Sequence, residues 1–413
     1  MDELLHAFNP WWDGTFAFPG IPREPYLELI DKLGSAPGVV FITGLRRVGK
    51  TTLMHQYIHH LLKNIDPRRI LYVSLDNLIF QHHTLPEIIR EYRQIHDLKQ
   101  REGVHVFLDE VHYLKDFELE LKNLYDLGGV NIYASGSASL DITMRSPHLT
   151  GRQRIMRVHP LSFREFLQFT DKQISMADQH LYENAALEYV KTGGLPEYVQ
   201  TRDPNVLQSI IDSVLYRDIL ARSQIRNRES LKSVLMMLAQ SVSTSISISR
   251  FSRVLNMKSD TVRRILDLFL ESNLVGVVER HGKFSERQLS PRKYYLADTG
   301  FFSILTEGIN LGAVVENLVF LTLSRSVNPR YYRAHTREVD FICKKHAIES
   351  KYKRILSDDD LLNIVQLKGM ESRTIITDSR KGNDQGIDLV PLWKFLLDND
   401  RPSEIFPSPP LTP

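Results

Sequence analysis

Residues 44–51 read Gly-Leu-Arg-Arg-Val-Gly-Lys-Thr, which is the G-x-x-x-x-G-K-T spacing of a phosphate-binding loop. The apolar run 39–42 precedes them as a buried strand would, and a segment that suits a helix, Thr52 to Lys63, follows. Glycines there let backbone N–H groups point at a phosphate, and a helix N-terminus favours negative charge. We expect Lys50 to reach the β- and γ-phosphates of a nucleotide and Thr51 to bind Mg²⁺. The predicted nucleotide-binding residues are Gly44, Arg47, Val48, Gly49, Lys50, Thr51, Thr52 and Asp109.

Polar residues also end two later apolar runs. Asp109 and Glu110 follow the run 104–108, where an aspartate can hold Mg²⁺ through water and a glutamate can deprotonate an attacking water. A helix N-cap is the other explanation of this pair. Ser135 and Ser137 follow the next run, where a hydroxyl can contact the γ-phosphate or can simply form a turn. The predicted catalytic residues here are Glu110 and Ser137.

Arg152 is the predicted source of positive charge at the transition state, supplied by the same subunit or by a neighbouring one. Arg154 and Arg157 are its rivals, and an arginine with no role beyond the surface is the remaining alternative.

A basic cluster lies in a predicted helix-turn-helix, where Ser249 and Ser259 are expected to cap helices over Arg250–Leu255 and 260–272. Only Asp260 offsets its charge within residues 250–264, and the wider stretch 202–293 carries 16 Lys and Arg against 9 Asp and Glu. Such side chains mostly contact DNA phosphates regardless of sequence. A protein-interaction role for the same fold is the alternative. The predicted DNA-binding residues are Arg250, Arg253, Lys258, Arg263 and Arg264.

Acidic residues near the C-terminus have a different spacing. Glu316 lies on a predicted helix 311–324, Asp340 lies in a predicted strand 339–343, and Glu349-Ser350-Lys351 ends the following strand 347–350. Asp340 and Glu349 could share one or two Mg²⁺ ions as in a nuclease, with Glu316 and Lys351 as partners of that site. Ordinary surface charges give the same pattern, so the residues alone leave both explanations open.

The elements that must position these residues alternate between strands and helices from residue 39 to about 169. This alternation predicts an α/β fold with a parallel sheet, whose ligands bind at the carboxyl ends of the strands. Downstream the pattern predicts helices, then a winged helix whose hairpin turns near Gly282, then mixed α/β structure. The predicted regions are a lead-in segment 1–38, an ATPase base 39–170, a helical lid 171–228, a winged helix 229–308, a nuclease-like domain 309–398 and a disordered tail 399–413.

Composition narrows the class of protein. The chain has 413 residues, 25% of them charged, and no apolar run approaches the length of a membrane span. Cys343 is the only cysteine, which excludes a disulfide framework and a zinc cluster built on cysteines. The acidic N-terminus is unlike a signal peptide. These features predict a cytoplasmic protein with no membrane partner.

Several of these motifs together resemble the archaeal and bacterial AAA+-type ATPases often called archaeal ATPases. The matching segments are Gly44–Thr51, Asp109-Glu110, Ser135-Gly136-Ser137, Gly151-Arg152, residues 160–166 (Pro-Leu-Ser-Phe-Arg-Glu-Phe), residues 193–196 (Gly-Gly-Leu-Pro) and Tyr216-Arg217-Asp218. The C-terminal part is similar to PD-(D/E)XK nucleases, with Glu316, Asp340, Glu349 and Lys351 at the matching positions. Here Val339 replaces the proline of that motif.

The resemblance implies an AAA+-like ATPase base that uses ATP and Mg²⁺, a winged helix and a nuclease-like end. It also implies self-association, with a hexameric ring favoured because the arginine of such enzymes usually acts across subunits. Three functions are consistent with this: an ATP-driven enzyme acting on DNA, with nuclease activity possible; a signalling NTPase switch that holds protein partners; and a DNA-binding ATPase with a nuclease-like scaffold.

Overall fold

The computed structural model describes residues 1–136, 149, 151–220, 225, 227–308, 310–334, 337–400 and 404–405. The chain forms two compact units, one of Met1–Val158 with Pro402–Pro413 and one of His159–Arg401. Among the described residues no helix combines the length and apolarity needed to cross a bilayer.

The first unit is built on a six-stranded sheet in the order β14-β5-β1-β4-β3-β2. Strands β1 to β5 are parallel, and only β14 runs antiparallel to its neighbour β5. The α/β fold with a parallel sheet is therefore confirmed. The strands are β1 Val39–Thr43, β2 Ile70–Ser74, β3 Val104–Asp109, β4 Val130–Ser135, β5 Gln153–Arg157 and β14 Glu404–Ile405. Apart from β14 and residues 399–400, the tail predicted to be disordered lies outside the described residues.

The helices of this unit precede or connect these strands, and each buries apolar side chains. The helices are α1 Asp2–Phe8, α2 Glu24–Gly34, α3 Lys50–Leu61, α4 Leu78–Gln81, α5 Leu85–Ile95 and α6 Phe117–Leu127, with single 3₁₀ turns at Pro10–Asp13, Pro67–Arg69 and Val111–Tyr113. Helix α5 shows why they form: Thr84 and Glu87 make a capping box, and apolar side chains recur on one face. The sequence pattern predicts a helix from Leu85 to Lys99, but α5 ends at Ile95, and Asp97 just beyond it takes a left-handed conformation (φ 52°) that a helix cannot continue through.

The lead-in segment covers the outer edge of the sheet at β2. The buried Asn9 side chain bonds to both backbone groups of Tyr72, accepting from its N–H at 2.6 Å and donating to its carbonyl at 2.9 Å. The indole N–H groups of Trp11 and Trp12 donate to the Ile70 carbonyl at 3.1 and 2.9 Å. Side chains thus satisfy backbone groups of β2, which lies at the edge of the sheet formed by the described strands.

The second unit begins with helices. They are α7 Phe163–Phe169, α8 Gln179–Thr192, α9 Pro196–Thr201, α10 Pro204–Asp212, α11 Arg228–Gln240, α12 Ile248–Val254, α13 Ser259–Glu271, α14 Phe284–Leu289, α15 Phe302–Leu305, α16 Leu311–Leu323, α17 Asp358–Val365 and α18 Leu392–Asp398, with a π-helical segment Ser213–Leu220 and a 3₁₀ turn Thr299–Phe301. Residues 193–195 separate α8 from α9.

An eight-stranded mixed sheet completes this unit, in the order β12-β13-β11-β10-β9-β8-β6-β7. Its strands are β6 Val275–Arg280, β7 Lys293–Leu296, β8 Arg330–Ala334, β9 Arg337–Cys343, β10 His346–Ser350, β11 Ser372–Thr377, β12 Gly382–Asp384 and β13 Ile387–Pro391. Because β6 pairs with both β7 and β8, the predicted boundary at 308/309 falls within one sheet.

Three local predictions in residues 247–293 are wrong. Ser259 is the first residue of α13 and not its cap, because the N-cap position is held by Lys258. The first helix of the helix-turn-helix is capped by Ser247, whose hydroxyl accepts from the Arg250 N–H at 3.3 Å, so it begins before the predicted Ser249 cap. Strands β6 and β7 do pair antiparallel, but helix α14 stands between them where a simple turn near Gly282 is predicted. The segment 284–289 is short and polar, so its helical period is hard to recognise.

Candidate functional site

The phosphate loop joins β1 to α3 at the carboxyl edge of the sheet. Gly44 has φ 145°, and a Cβ there would lie 2.3 Å from the Val158 carbonyl oxygen, so this position requires glycine. Arg47 (φ 60°) and Gly49 (φ 93°) also take left-handed conformations. Such successive reversals curl the backbone into the concave shape that binds anions through N–H groups. Helix α3 starts at Lys50, two residues before the predicted start at Thr52.

Lys50 is held inside this loop. Its side chain is 6% exposed, and its ammonium donates to the carbonyls of Gly44 and Leu45, each at 3.2 Å. The lysine that would meet the β- and γ-phosphates is thus already folded over the concave face of the loop.

Asp109 lies next to Thr51, although 58 positions separate them in the chain. The Thr51 hydroxyl donates to Asp109 Oδ2 at 2.6 Å, and the Tyr72 hydroxyl donates to the same oxygen at 2.9 Å. The Ser135 hydroxyl donates to the other oxygen, Oδ1. Since hydroxyl and carboxylate oxygens are the ligands that Mg²⁺ prefers, the pair of Thr51 and Asp109 fits that ion.

Glu110 follows directly and has a left-handed backbone (φ 56°), which is uncommon for a residue with a side chain. Its backbone N–H donates to the Ser135 hydroxyl at 3.1 Å. Its carboxylate Oε2 lies 3.1 Å from Nδ1 of His112, and the His112 ring is almost fully buried. Ser137, the other predicted catalytic residue, lies outside the described residues.

Arg152 lies at the amino ends of the strands, on the opposite side of the sheet from the phosphate loop at their carboxyl ends. It precedes β5, whose first residue Gln153 pairs with Val39, and its backbone carbonyl accepts from the Val39 N–H. Five residues at roughly 3.3 Å each put roughly 16 Å between this edge and the phosphate loop. Its guanidinium Nε is 3.3 Å from Asp126. Arg152 therefore does not reach the phosphate loop of its own chain.

The two rival arginines differ in position. Arg154 lies near the same amino edge, and its Nε donates to the Pro37 carbonyl at 3.4 Å. Arg157 pairs with Thr43 at the carboxyl end of β5, which is the edge that carries the phosphate loop.

The lead-in segment contributes contacts that the sequence did not predict. Arg23 donates to the carbonyl of Val48 in the phosphate loop at 3.0 Å, and its guanidinium lies 4.5 Å from the centre of the Tyr26 ring. Gln56 of α3 donates to the carbonyls of Pro19 and Ile21 at 2.9 and 2.8 Å. No pattern in residues 19–26 points to the loop, because these contacts depend on tertiary packing.

In the second unit, the five basic residues predicted to bind DNA are all exposed on or beside α12 and α13. The buried face of α13 carries Val262, Ile265, Leu266 and Phe269, and Arg263 and Arg264 project away from it. The charge around these two arginines is mixed, because Asp260, Asp267 and Glu271 line the same shallow depression. Arg263 lies 3.3 Å from Asp260. Arg250, Arg253 and Lys258 lie outside that depression.

The C-terminal acidic residues do converge. Asp340 and Glu349 lie on adjacent antiparallel strands, and the Asp340 N–H donates to Glu349 Oε2 at 3.1 Å. Lys351 lies 2.7 Å from Glu349 Oε1. Glu316, from α16, joins them through Lys293, whose ammonium lies 3.3 Å from Glu316 and 3.5 Å from Asp340.

Burial dominates the titration of these acids. It raises the pKa of Glu349 to about 8 and that of Glu316 to about 7, and the nearby Asp340 carboxylate adds to both shifts. The facing lysines, Lys351 for Glu349 and Lys293 for Glu316, oppose the shift. Among the described residues no group of three or more His, Cys, Asp or Glu is arranged to hold a metal ion. The metal-binding role of Asp340 and Glu349 stays a prediction.

Sequence reasoning missed several residues of these two sites. Tyr72 orients Asp109 from the neighbouring strand, and Lys293, Tyr295 and Glu338 surround Glu316 and Asp340. One signal was available for the second group. Lys293 and Tyr295 alternate in an otherwise apolar strand, so both must face the same side.

Comparison with known families supports part of the sequence interpretation. Residues 36–167 match the family model of an AAA domain, and residues 183–311 match that of a domain of unknown function (DUF8612). The first match contains the whole site around Lys50 and Asp109. It supports an AAA-type, nucleotide-binding ATPase domain in this part of the chain.

Relatives extend over nearly the whole chain. An uncharacterized protein of Haemophilus influenzae is 26% identical over 400 residues, covering 91% of this chain and 98% of its own. Another, from Methanocaldococcus jannaschii, is 26% identical over 400 residues, covering 86% of this chain and 87% of its own. A solved structure of the Aeropyrum pernix ORC1 protein in complex with DNA is 13% identical, covers 72% of this chain and 96% of that chain, and has a TM-score of 0.35.

Proposed function

We propose that the protein is an ATPase that binds DNA and couples ATP turnover to DNA processing or translocation. One observation carries the ATPase part of this proposal. Thr51 and Asp109, far apart in sequence, lie 2.6 Å from each other beside a glycine loop that holds Lys50. An ordinary glycine turn needs neither the lysine nor the distant carboxylate.

The residues have separate roles in this proposal. The curled loop and Lys50 bind the β- and γ-phosphates, and Thr51 and Asp109 hold Mg²⁺. Mg²⁺ supplies positive charge to the phosphate oxygens as negative charge develops there. Tyr72 and Ser135 hold Asp109 in place by donating to its two oxygens. Glu110 takes the proton of the water that attacks the γ-phosphorus.

Nucleotide binding to the Lys50→Ala variant tests the ATPase part. A fluorescent ATP analogue titrated with Mg²⁺ should bind about 30-fold more weakly or worse, since removing a charge-assisted hydrogen bond costs roughly 2 kcal/mol. The matched control is Lys63→Ala, an exposed lysine just past the end of α3. Equal affinity of Lys50→Ala and wild type would refute the proposed site.

Two features support the DNA part of the proposal. Basic residues are exposed on or beside α12 and α13, and residues 248–296 contain two helices followed by a pair of strands, which is the order of elements in a winged helix. Such contacts read the phosphate backbone, so we propose binding without sequence preference. The alternative is an NTPase switch whose C-terminal half holds protein partners. DNA affinity that does not change with salt would favour that alternative.

We also propose that the protein self-associates, with a ring as the arrangement, because Arg152 lies too far from the site of its own subunit to act there. A metal-dependent nuclease activity, with Asp340 and Glu349 as ligands, is left out of the proposed function. The reason is the buried ammonium of Lys293, which lies 3.5 Å from Asp340.

A further inference from the structure

Lys293 lies at the centre of the acidic cluster formed by Glu316, Glu338 and Asp340. Its side chain has no exposed surface, and its ammonium lies 2.6 Å from Glu338, 3.3 Å from Glu316 and 3.5 Å from Asp340. The lysine comes from β7, and the acids come from α16 and β9. An ammonium has three N–H donors, so it can serve all three carboxylates at once.

The lysine is charged in this position. Three carboxylates lie within 3.5 Å of its nitrogen, and opposite charges at such distances favour the ammonium form. A buried ammonium without these partners would be costly to the fold, and so would the carboxylates left without it. The four side chains therefore depend on one another.

The other carboxylate oxygens of the acidic residues in this region also accept hydrogen bonds or ion pairs from protein groups. Asp340 Oδ2 accepts from the backbone N–H of Ser350 at 3.0 Å, while its Oδ1 faces Lys293. The two oxygens of Glu349 face the Asp340 N–H and Lys351. The hydroxyl of Tyr295 donates to Glu316 Oε1 at 2.7 Å. Every oxygen of Asp340 and Glu349 thus already has a partner from the protein.

We propose that the ammonium of Lys293 is the resident cation of this cluster and takes the position that a divalent metal would need. A metal bound to the same oxygens would lie within a few ångströms of a positive charge that is fully buried, and the two would repel each other strongly. The cluster then ties β7, β9 and α16 together as a fixed ion-pair network. Residues that resemble a nuclease centre serve here as a structural junction, closed to metal while Lys293 is present.

Removing the lysine should therefore open a metal site. In Lys293→Met, a side chain of similar length keeps the packing, and Glu316, Glu338 and Asp340 lose the buried cation that they share, although Arg333 stays 3.8 Å from Glu338. Such a set of hard oxygen ligands suits Mn²⁺ and Mg²⁺.

Calorimetric titration of the full-length, nucleotide-free protein with Mn²⁺ tests whether the cluster can bind a metal ion. Wild type and Asp340→Asn should give the same isotherm, because neither has a Mn²⁺ site at the cluster. Lys293→Met should gain a site that binds at least about tenfold more tightly than any in the wild type, and Lys293→Met/Asp340→Asn should lose it. Lys283→Met, a change at an exposed lysine, is the matched control and should gain nothing.

Two results would overturn the inference: a wild-type Mn²⁺ site that Asp340→Asn abolishes, or no gain of binding in Lys293→Met. If Lys293→Met does not fold, the double variant Lys293→Met/Glu316→Gln removes one acid together with the lysine. This variant should also gain a Mn²⁺ site, formed by Glu338 and Asp340. Absence of that gain in the folded double variant would equally overturn it. The comparison of wild type with Asp340→Asn shows whether the wild-type cluster binds Mn²⁺, and it does not depend on the folding of either Lys293→Met variant.

Discussion

Glu110 is the residue on which the proposed chemistry depends most directly. Its backbone is fixed in a left-handed conformation, and its carboxylate is 3.1 Å from His112 Nδ1. Glu110→Gln should bind ATP as the wild type does but hydrolyse it about 10² to 10⁴ times more slowly, since a general base contributes that much. Phosphate release measured at saturating ATP checks this, with Glu118→Gln on α6 as the control. Equal turnover in Glu110→Gln and wild type would remove Glu110 from the base role.

A second residue-scale prediction concerns Asp298, which is buried in the second unit. Its Oδ2 accepts from the Gly194 N–H at 2.7 Å and its Oδ1 accepts from the Gly300 N–H at 2.8 Å. Burial nevertheless outweighs these bonds and raises its pKa to about 7. The folded state thus holds a proton that the unfolded state releases near pH 4. Its contribution to stability is therefore present at low pH and is lost as the pH rises from about 4 to about 7.

Unfolding by urea at several pH values measures this loss. Trp393 lies in the second unit, and Trp11 and Trp12 lie in the first, so a Trp11→Phe/Trp12→Phe background makes Trp393 the only tryptophan reporter. In that background, Asp298→Asn should reduce the fall in unfolding free energy between pH 4 and 7. The same pH dependence with and without Asp298 would show that another group is responsible.

At the residue scale, the sequence could place the phosphate loop, Asp109 and Glu110 at one site because parallel strands end at a common edge. Each of these residues belongs to a recognisable local sequence pattern, and the parallel strands bring the residues together in space. The alternation of Lys293 with Tyr295 places both side chains on one face of their strand, but it does not indicate the acids of α16 and β9 from which Lys293 acquires its role. Tyr72 was missed for the same reason.

At the scale of elements, the ends of helices were harder to predict than the helices themselves. Helix α5 was expected because its apolar residues recur at helical spacing, but the left-handed Asp97 that stops it has no sequence mark of its own. The parallel sheet followed from strand and helix alternation. The pairing of β6 with β8 did not, because pairing between strands distant in the chain leaves no local pattern.

The basic helices give a prediction at this scale. Since acidic residues surround Arg263 and Arg264, the DNA contacts should depend more on Arg250 and Arg253 of α12. Arg250→Ala/Arg253→Ala should weaken binding to DNA of random sequence and reduce the slope of log affinity against log salt by about 2, roughly one for each arginine that no longer meets a phosphate. Fluorescence anisotropy across a salt series measures the slope.

The control for this experiment is Lys344→Ala/Lys368→Ala, which removes the same charge from exposed lysines elsewhere in the second unit. A wild-type affinity that is flat with salt would remove DNA from the proposed function. An equal loss of affinity in the control would mean that net charge, rather than α12, determines binding.

At the scale of the whole molecule, the position of Arg152 decides how a transition-state charge could be supplied. It lies at the amino edge of the sheet, whereas the phosphate loop lies at the carboxyl edge. If it acts across a subunit interface, Arg152→Ala should slow ATP turnover by about 10³-fold or more while leaving ATP affinity intact. Mixing Arg152→Ala with Lys50→Ala, each inactive alone, should then restore activity, because a site is complete wherever an intact Lys50 meets a neighbour's intact Arg152. In a randomly mixed ring that condition holds at roughly a quarter of the sites. Wild-type turnover in Arg152→Ala would exclude this role and leave Arg157, at the carboxyl edge, as the arginine to test next.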